Sequence, residues 1–244
     1  MKILVTNDDG INAEGLRYLV DFAKKLGDVI VVSPKFEQSA MSHALKIVEP
    51  FECIKVDKGF GVDTYSVDST PADCVRYAHY GLEEKIDVVL SGINRGYNLG
   101  EDIMYSGTVA AACEAATLGI KSFAISTGRE GYIDCEKYLD YIYTFIVESK
   151  LDSLWNLYNI NFPSVSFDNQ KILITKQGDC NFQTTFELKG NVYYQMGVPC
   201  FENSKDKLYL DTSAIMNGYI SITPLVYNRT NFEIYKNLIK NKYK

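Results

Sequence analysis

Paired cysteines and histidines are what this sequence most clearly lacks. Its 244 residues include two histidines and six cysteines, and the cysteines lie far apart, at Cys53, Cys74, Cys113, Cys135, Cys180 and Cys200. Because no Cys-x-x-Cys pair occurs, this spacing predicts separate reduced thiols rather than a disulfide framework or a zinc cluster. The low histidine count also argues against a histidine-rich metal site.

Long apolar runs and an excess of positive charge are absent too. No stretch is long enough to span a membrane, and no charged n-region or cleavage pattern follows Met1, so we expect a cytoplasmic protein. Lys and Arg number 25 against 31 Asp and Glu, which gives a formal net charge of −6. This balance gives no electrostatic reason to expect a nucleic-acid polymer or an anionic membrane as partner, whereas a small anion can still bind at a local positive site.

The first half of the chain alternates short β-branched runs with helical patterns. Strands are predicted at residues 2–5, 29–33, 63–67, 87–91 and 122–126, and helices at residues 13–25 and from Pro71 and Gly107 onward. This alternation is typical of βαβ units in a mostly parallel sheet with helices on both faces. We therefore predict an α/β fold with three layers, α/β/α, of the Rossmann-like kind.

The pattern changes after about residue 128. A helix is predicted around residues 135–147, and from Lys171 short strands and turns rich in Tyr, Asn and Gly precede a Lys-rich tail. We predict one integrated domain in two parts. Residues 1–128 form the α/β core that binds metal and phosphate, and residues 129–244 supply a helix, the remaining core strands and a β-rich C-terminal extension for oligomerisation.

Two adjacent carboxylates, Asp8 and Asp9, follow the first apolar run directly. Ligands of open α/β sheets bind outside the carboxyl ends of the strands, and Gly10 lets the backbone turn so that both carboxylates reach one cation. Hard oxygen ligands suit a divalent metal ion. Since Asp-Asp-Gly is also common in turns and caps, the pair alone fits a structural turn as well.

Residues 91–100 form a second polar segment at a strand end. They contain three glycines and two asparagines, Asn94 and Asn98, directly after the apolar residues 88–90. The amide groups suit the completion of a metal shell and the binding of a phosphate, and the glycines give backbone freedom. A loop built from common turn formers is the alternative.

Two helix starts can be read from single residues. Thr70 offers a hydroxyl cap before a proline, and Ser106-Gly107-Thr108 opens an alanine-rich helix that ends at Gly119. Free N–H groups, the helix dipole and the two hydroxyls predict a phosphate site at the second start. An ordinary capped helix is the alternative.

A third strand-end loop, residues 33–43, carries Ser39 and His43. Ser39 has an oxygen to offer a metal ion, although a lone serine in a polar loop is most often solvated. His43 fits a packed or surface histidine better than a catalyst.

Taken together, these segments resemble the SurE family, the survival-protein nucleotidases. The matching blocks are Met1-Lys2-Ile3-Leu4-Val5-Thr6-Asn7-Asp8-Asp9-Gly10, Gln38-Ser39, Thr70-Pro71-Ala72-Asp73-Cys74-Val75, Ser91-Gly92-Ile93-Asn94 through Asn98-Leu99-Gly100, and Tyr105-Ser106-Gly107-Thr108-Val109-Ala110-Ala111. Residues 159–163 and 218–225 extend the match into the second half. Ordered blocks across nearly the whole chain are much stronger support than any single motif.

The resemblance implies a metal-dependent phosphomonoesterase that acts on nucleoside 5′- and 3′-monophosphates and, in some members, on short polyphosphate. It implies that Asp8, Asp9, Ser39 and Asn94 hold one divalent ion per subunit, Mg²⁺ or Mn²⁺, and that Asn98, Ser106, Gly107 and Thr108 bind the phosphate. It further implies a homodimer or homotetramer assembled through the C-terminal extension.

The sequence departs from the family pattern at three positions outside these ligands. Ala40 and Ser69 stand where glycine is common, and Ala115 follows Glu114 where glycine is frequent. We expect effects on loop shape and substrate preference rather than on activity.

For the mechanism we predict direct attack by water, with Asp8 or Asp9 as the catalytic carboxylate that assists it. The sequence does not assign separate roles to the two. An aspartyl-phosphate phosphatase is a rival, but it needs an Asp-x-Asp spacing. A noncatalytic nucleotide-binding module is the other, although the dinucleotide fingerprint Gly-x-Gly-x-x-Gly is missing from the first βα turn.

Overall fold

The computed structural model describes residues 1–242, and the last two residues of the Lys-rich tail lie outside the described part. The strands are β1 (Lys2–Thr6), β2 (Asp28–Pro34), β3 (Cys53–Lys55), β4 (Asp63–Val67), β5 (Val88–Arg95), β6 (Lys121–Thr127), β7 (Leu157–Phe162), β8 (Ile172–Ile174), β9 (Cys180–Lys189), β10 (Val192–Phe201) and β11 (Ile220–Pro224). The helices are α1 (Glu14–Ala23), α2 (Pro71–Arg76), α3 (Gly107–Thr117), α4 (Cys135–Glu148), α5 (Leu151–Leu154), α6 (Asp211–Met216) and α7 (Phe232–Lys242).

Nine strands form one sheet in the order β3-β4-β2-β1-β5-β6-β7-β11-β8. The inner strands from β4 to β7 run parallel, whereas β3 pairs antiparallel with β4 and β11 pairs antiparallel with β7. The predicted mostly parallel sheet is therefore confirmed, with antiparallel pairs nearer its edges.

Side-chain alternation along the strands gives the sheet two apolar faces. On β1, Ile3 and Val5 pack in a buried cluster with α1 and α4, whereas Leu4 packs in a second cluster with α2 and α3. Each such side chain contributes about 2 kcal/mol when it is fully buried. Because both faces are covered, the predicted three-layer arrangement is confirmed.

Local signals explain where the helices next to the site begin. Thr70 Oγ1 accepts a hydrogen bond from the N–H of Asp73 at 3.2 Å, and Pro71 is the first residue of α2. Ser106 Oγ accepts from the N–H of Val109 at 3.1 Å and caps α3. Both predicted caps are present, and each stabilises its helix by about 1 kcal/mol.

The second half holds longer elements than the sequence predicted. β9 and β10 form a separate antiparallel hairpin, and the tail contains α7. The β-rich extension is thus confirmed, and besides the short strands β8 and β11 the second half contains two ten-residue strands. Over residues 1–242, no helix has both the length and the apolar character needed to cross a membrane.

Candidate active site

The carboxyl ends of β1, β2 and β5 meet at the centre of the sheet. β1 pairs with β2 on one side and with β5 on the other, and later strands extend outward in both directions. Ligands of open α/β sheets bind in the crevice at such a switch point. Asp8 and Asp9 follow β1, Ser39 lies in the loop after β2, and Asn94 lies near the end of β5.

Asp8 is buried against the first turn of α3. Its Oδ1 accepts a short hydrogen bond from Thr108 Oγ1, 100 positions away in sequence. A Cβ atom added to Gly107 would stand 2.8 Å from Asp8 Cβ, so only glycine fits at that position without displacement. The candidate metal ligand and the candidate phosphate site are therefore in direct contact.

Asp9 is the more exposed carboxylate of the pair. Its Oδ2 accepts a hydrogen bond from the backbone N–H of Arg95 at 3.3 Å, which ties it to the residue after Asn94. Burial raises its pKa, and the nearby negative charge of Glu37 raises it further. The carboxylate thus lies in a site that disfavours an uncompensated negative charge.

Burial has a larger effect on Asp8. The pKa of Asp8 is raised from 3.8 to about 6: burial is the largest cause, the hydrogen bond from Thr108 lowers the pKa, and the charge of Asp9 raises it. Two adjacent carboxylates with raised pKa values form a site that a positive charge stabilises. Among residues 1–242, no group of three or more His, Cys, Asp or Glu side chains has a metal-binding arrangement.

Ser39 and Asn94 are the neutral oxygen donors that the sequence places at this site. Ser39 Oγ donates a short hydrogen bond to Glu37, and the N–H of the intervening Gln38 donates to the carbonyl of Asp8 at 2.8 Å. Asn94 Nδ2 donates to the carbonyl of Gly96 at 2.8 Å, which leaves its amide oxygen as an acceptor. Carboxylate, hydroxyl and amide oxygens together fit a hard divalent cation.

The hydrogen bonds of Asn98 join it to β6 and β7. Its side-chain nitrogen donates to Ser126 Oγ at 2.9 Å, and its carbonyl accepts from Asn159 and Asn161 at 2.8 and 3.0 Å. These buried bonds fix the segment between β5 and α3 to the ends of β6 and β7. The structure therefore gives Asn98 a clear architectural part, and its contact with phosphate stays a prediction.

Sequence reasoning missed two residues beside the carboxylates. Glu37 lies close enough to Asp9 to raise its pKa, and its position two residues before Ser39 was the available signal. Arg95 donates its backbone N–H to Asp9, and a backbone contact of this kind cannot be predicted from the type of side chain. His43, expected to be a packed or surface histidine, hydrogen-bonds through Nε2 to Glu114 at 2.8 Å.

Comparison with known proteins shows the family of the chain. The family model described as Survival protein SurE matches residues 3–184 of the chain. The chain belongs to the SurE family. This confirms the resemblance seen in the ordered sequence blocks.

Curated SurE relatives match over nearly their full lengths. The 5′-nucleotidase SurE of Natranaerobius thermophilus is 38% identical over 98% of this chain and 97% of its own length. That of Clostridium botulinum is 39% identical over 96% of both chains. The crystal structure of the SurE protein from Aquifex aeolicus superposes with a TM-score of 0.81 at 32% identity, covering 99% of this chain and all of that one.

The departures from the SurE pattern have local structural consequences. Ala40 adopts a left-handed φ of 56°, a conformation that suits glycine better than alanine. Ser69 has a side chain that glycine lacks, and its Oγ donates a hydrogen bond to Asp73 Oδ2 at 2.5 Å beside the start of α2. Ala115 is fully buried between α3 and the sheet.

The raised pKa of Asp8 predicts how stability depends on pH without a divalent metal. The unfolded carboxyl ionises near its ordinary pKa of 3.8, whereas the folded one keeps its proton up to about 6. The folded state then binds more protons than the unfolded state, so stability falls as pH rises through this interval. The loss assigned to Asp8 is about 3 kcal/mol.

Urea unfolding in EDTA, measured across this pH interval, tests the prediction. The Asp8→Asn variant should lose that part of the pH dependence and become the more stable protein at neutral pH. Equal slopes in the wild type and the variant would contradict it.

Proposed function

We propose that the chain releases phosphate from nucleoside 5′-monophosphates and uses one divalent cation, Mg²⁺ or Mn²⁺, per subunit. The name of the curated relatives, 5′-nucleotidase, supports the ester class. We extend the proposal to 3′-monophosphates and short polyphosphate, since all of these present a terminal phosphate to the same donors.

One observation carries the proposal: the Asp8 carboxylate lies directly against the predicted phosphate site. A phosphate at the start of α3 would be near this negative charge, and unit charges about 4 Å apart repel by about 4 kcal/mol at an effective dielectric of about 20. A cation shared by carboxylate and phosphate removes the repulsion. A simple phosphate-binding module has no comparable need for paired carboxylates.

The residues at the switch point fit such a cation by their chemistry. Asp8 and Asp9 would supply charge, and Ser39 and Asn94 would supply neutral oxygens. When bound, a divalent cation neutralises phosphate charge and lowers the pKa of water.

The remaining steps fall to residues of the chain itself. The N–H groups of the first turn of α3 and the hydroxyl of Ser106 would hold the phosphate oxygens as charge moves toward the leaving group, and Thr108 would add its hydroxyl by exchanging its bond to Asp8. Asn98 would add a donor by exchanging its bond to Ser126. Asp9, the more exposed carboxylate, would accept a proton from the attacking water at its Oδ1, because its Oδ2 is hydrogen-bonded to the backbone.

A cavity of about 540 Å³ next to Ser106 offers room for the rest of the substrate. Its wall includes apolar side chains such as Val109 and Leu225, with Lys176 and Arg229 also lining it. A volume of this size suits a nucleoside rather than a lone phosphate.

Paired measurements of binding and release distinguish this enzyme from a nucleotide-binding module. Purified protein is incubated with a panel of nucleoside 5′- and 3′-monophosphates in Mg²⁺ or Mn²⁺, and both bound nucleotide and free phosphate are measured. The proposal expects phosphate release that EDTA stops. Nucleotide binding without release under every metal condition would favour the module.

We also propose that the C-terminal extension assembles the protein into a dimer or tetramer. Both faces of the β9–β10 hairpin carry exposed apolar side chains, including Phe186, Tyr193 and Val198, and α7 exposes Phe232 and Leu238. Exposed apolar surface of this extent is typical of an interface.

The molar mass in solution tests the assembly. Light scattering should give a multiple of the 27.5 kDa chain mass, and the double variant Phe186→Asp, Tyr193→Asp should give a smaller species because charge opposes burial. Lys189→Asp, on the same hairpin, serves as the control and should not change the mass. A wild-type mass of one chain would contradict the proposal.

A further inference from the structure

The loop that carries Ser39 has backbone conformations that need outside support. Ala40 and Ser42 both adopt left-handed φ angles, 56° and 54°. Residues other than glycine adopt this conformation at an energetic cost, so contacts with the surroundings must hold it.

Backbone hydrogen bonds hold the loop at both ends. The N–H of Lys35 donates to the carbonyl of Val67 at 2.7 Å, and the N–H of Lys46 donates to Asp73 Oδ2 at 2.9 Å. Between them, the N–H of Ser42 donates to the carbonyl of Tyr105 at 2.9 Å. The loop therefore lies across the beginnings of α2 and α3, beside both parts of the candidate site.

His43 links this loop to the body of α3. Its Nε2 hydrogen-bonds to Glu114 Oε2 at 2.8 Å, and Arg76 donates to the other oxygen, Oε1, at 2.9 Å. Glu114 is buried, with 7% of its side chain exposed, whereas 28% of His43 is exposed. The buried Glu114 carboxylate is thus held by Arg76 of α2 through one oxygen and fixes the position of His43 through the other.

We infer that His43 is a positioning residue that holds Ser39 beside Asp8 and Asp9 and so sets the affinity of this site for its cation. The inference rests on the proposed metal-dependent function. It follows because Ser39 is four positions from His43, and Gln38, next to Ser39, is already bonded to Asp8. If the link at His43 is lost, the intervening left-handed residues can relax and move the Ser39 oxygen away.

Direct Mn²⁺ binding, measured by electron paramagnetic resonance of the free ion, tests this role. We expect His43→Ala to raise the Kd for Mn²⁺ about tenfold, since a charge-assisted hydrogen bond is lost. His43→Gln keeps a donor for Glu114 and should recover most of the affinity. The only other histidine of the sequence provides the control, His79→Gln, which should bind as the wild type does.

Activity adds a second readout. At saturating Mn²⁺ the kcat of His43→Ala should return to within about threefold of the wild type, because the carboxylates are unchanged. An unchanged Mn²⁺ Kd in His43→Ala, or an equal increase in His79→Gln, would overturn the inference. Tight Mn²⁺ binding without hydrolysis by the wild type would refute the proposed function but leave the positioning role standing, and a wild type that binds no Mn²⁺ would overturn both.

Discussion

Asp9→Asn and Asp8→Asn are each expected to reduce the rate of phosphate release from AMP by about 10³-fold or more. That corresponds to about 4 kcal/mol of transition-state stabilisation, the scale of a lost metal ligand. Asparagine keeps the shape of the side chain and can still accept the hydrogen bonds from Thr108 and the backbone of Arg95. The change therefore removes the charge and leaves the local packing.

Folding must be followed together with activity for this prediction to be informative. Circular dichroism and the thermal midpoint should show folded variants, and Asp8→Asn should be at least as stable as the wild type in EDTA, because a buried charge has been removed. Asp21→Asn is a matched control, since Asp21 lies on α1 and forms an exposed ion pair with Lys24. Full activity of Asp9→Asn would contradict the role given to the pair.

Gly107→Ala is expected to have the second largest effect, a loss of about 10²-fold in kcat/KM. The new Cβ atom would stand 2.8 Å from Asp8 Cβ, 3.0 Å from Asp8 Oδ2 and 3.1 Å from Pro71 Cγ. Something must move, and the nearest atoms belong to the carboxylate of the site. A displacement of about 1 Å at a reacting centre is enough to lower a rate about 10²-fold.

Stability should respond much less than activity in this variant. Gly107 has no positive φ, so alanine in its place lowers the backbone entropy of the unfolded chain, which is worth about 0.4–1 kcal/mol and offsets part of the crowding. Gly119→Ala, just beyond the end of the same helix, is the control with the opposite signature. Gly119 has open space around it and a φ of 78°, so its replacement should cost about 1 kcal/mol of stability and leave kcat/KM unchanged. Equal losses of activity in the two variants would contradict the proposed contact.

The fold was largely predictable because its signals are local. Alternating apolar runs, the Thr70 and Ser106 caps and the proline at the start of α2 all act within a few residues. The convergence of Asp8, Asp9 and Asn94 also followed from sequence, since parallel strands bring their carboxyl ends to one edge.

Contacts between distant segments were not predictable in the same way. Thr108 bonds to Asp8, and His43 bonds to Glu114. Each pair joins residues far apart in sequence, and the type of one residue does not reveal which residue is its partner. Asn98 is a further example. Its amide suits a phosphate, but the structure engages it with Ser126 and the asparagines of β7, a network that no single motif encodes.

The most direct measurement of the central claim is phosphate release from AMP by EDTA-treated protein, before and after Mn²⁺ is returned. If Asp8 and Asp9 hold a cation beside the phosphate site, the treated protein should be inactive, and added Mn²⁺ should restore release in the wild type but not in Asp9→Asn. Release that persists without any divalent metal, or that Mn²⁺ restores equally in Asp9→Asn, would contradict the account.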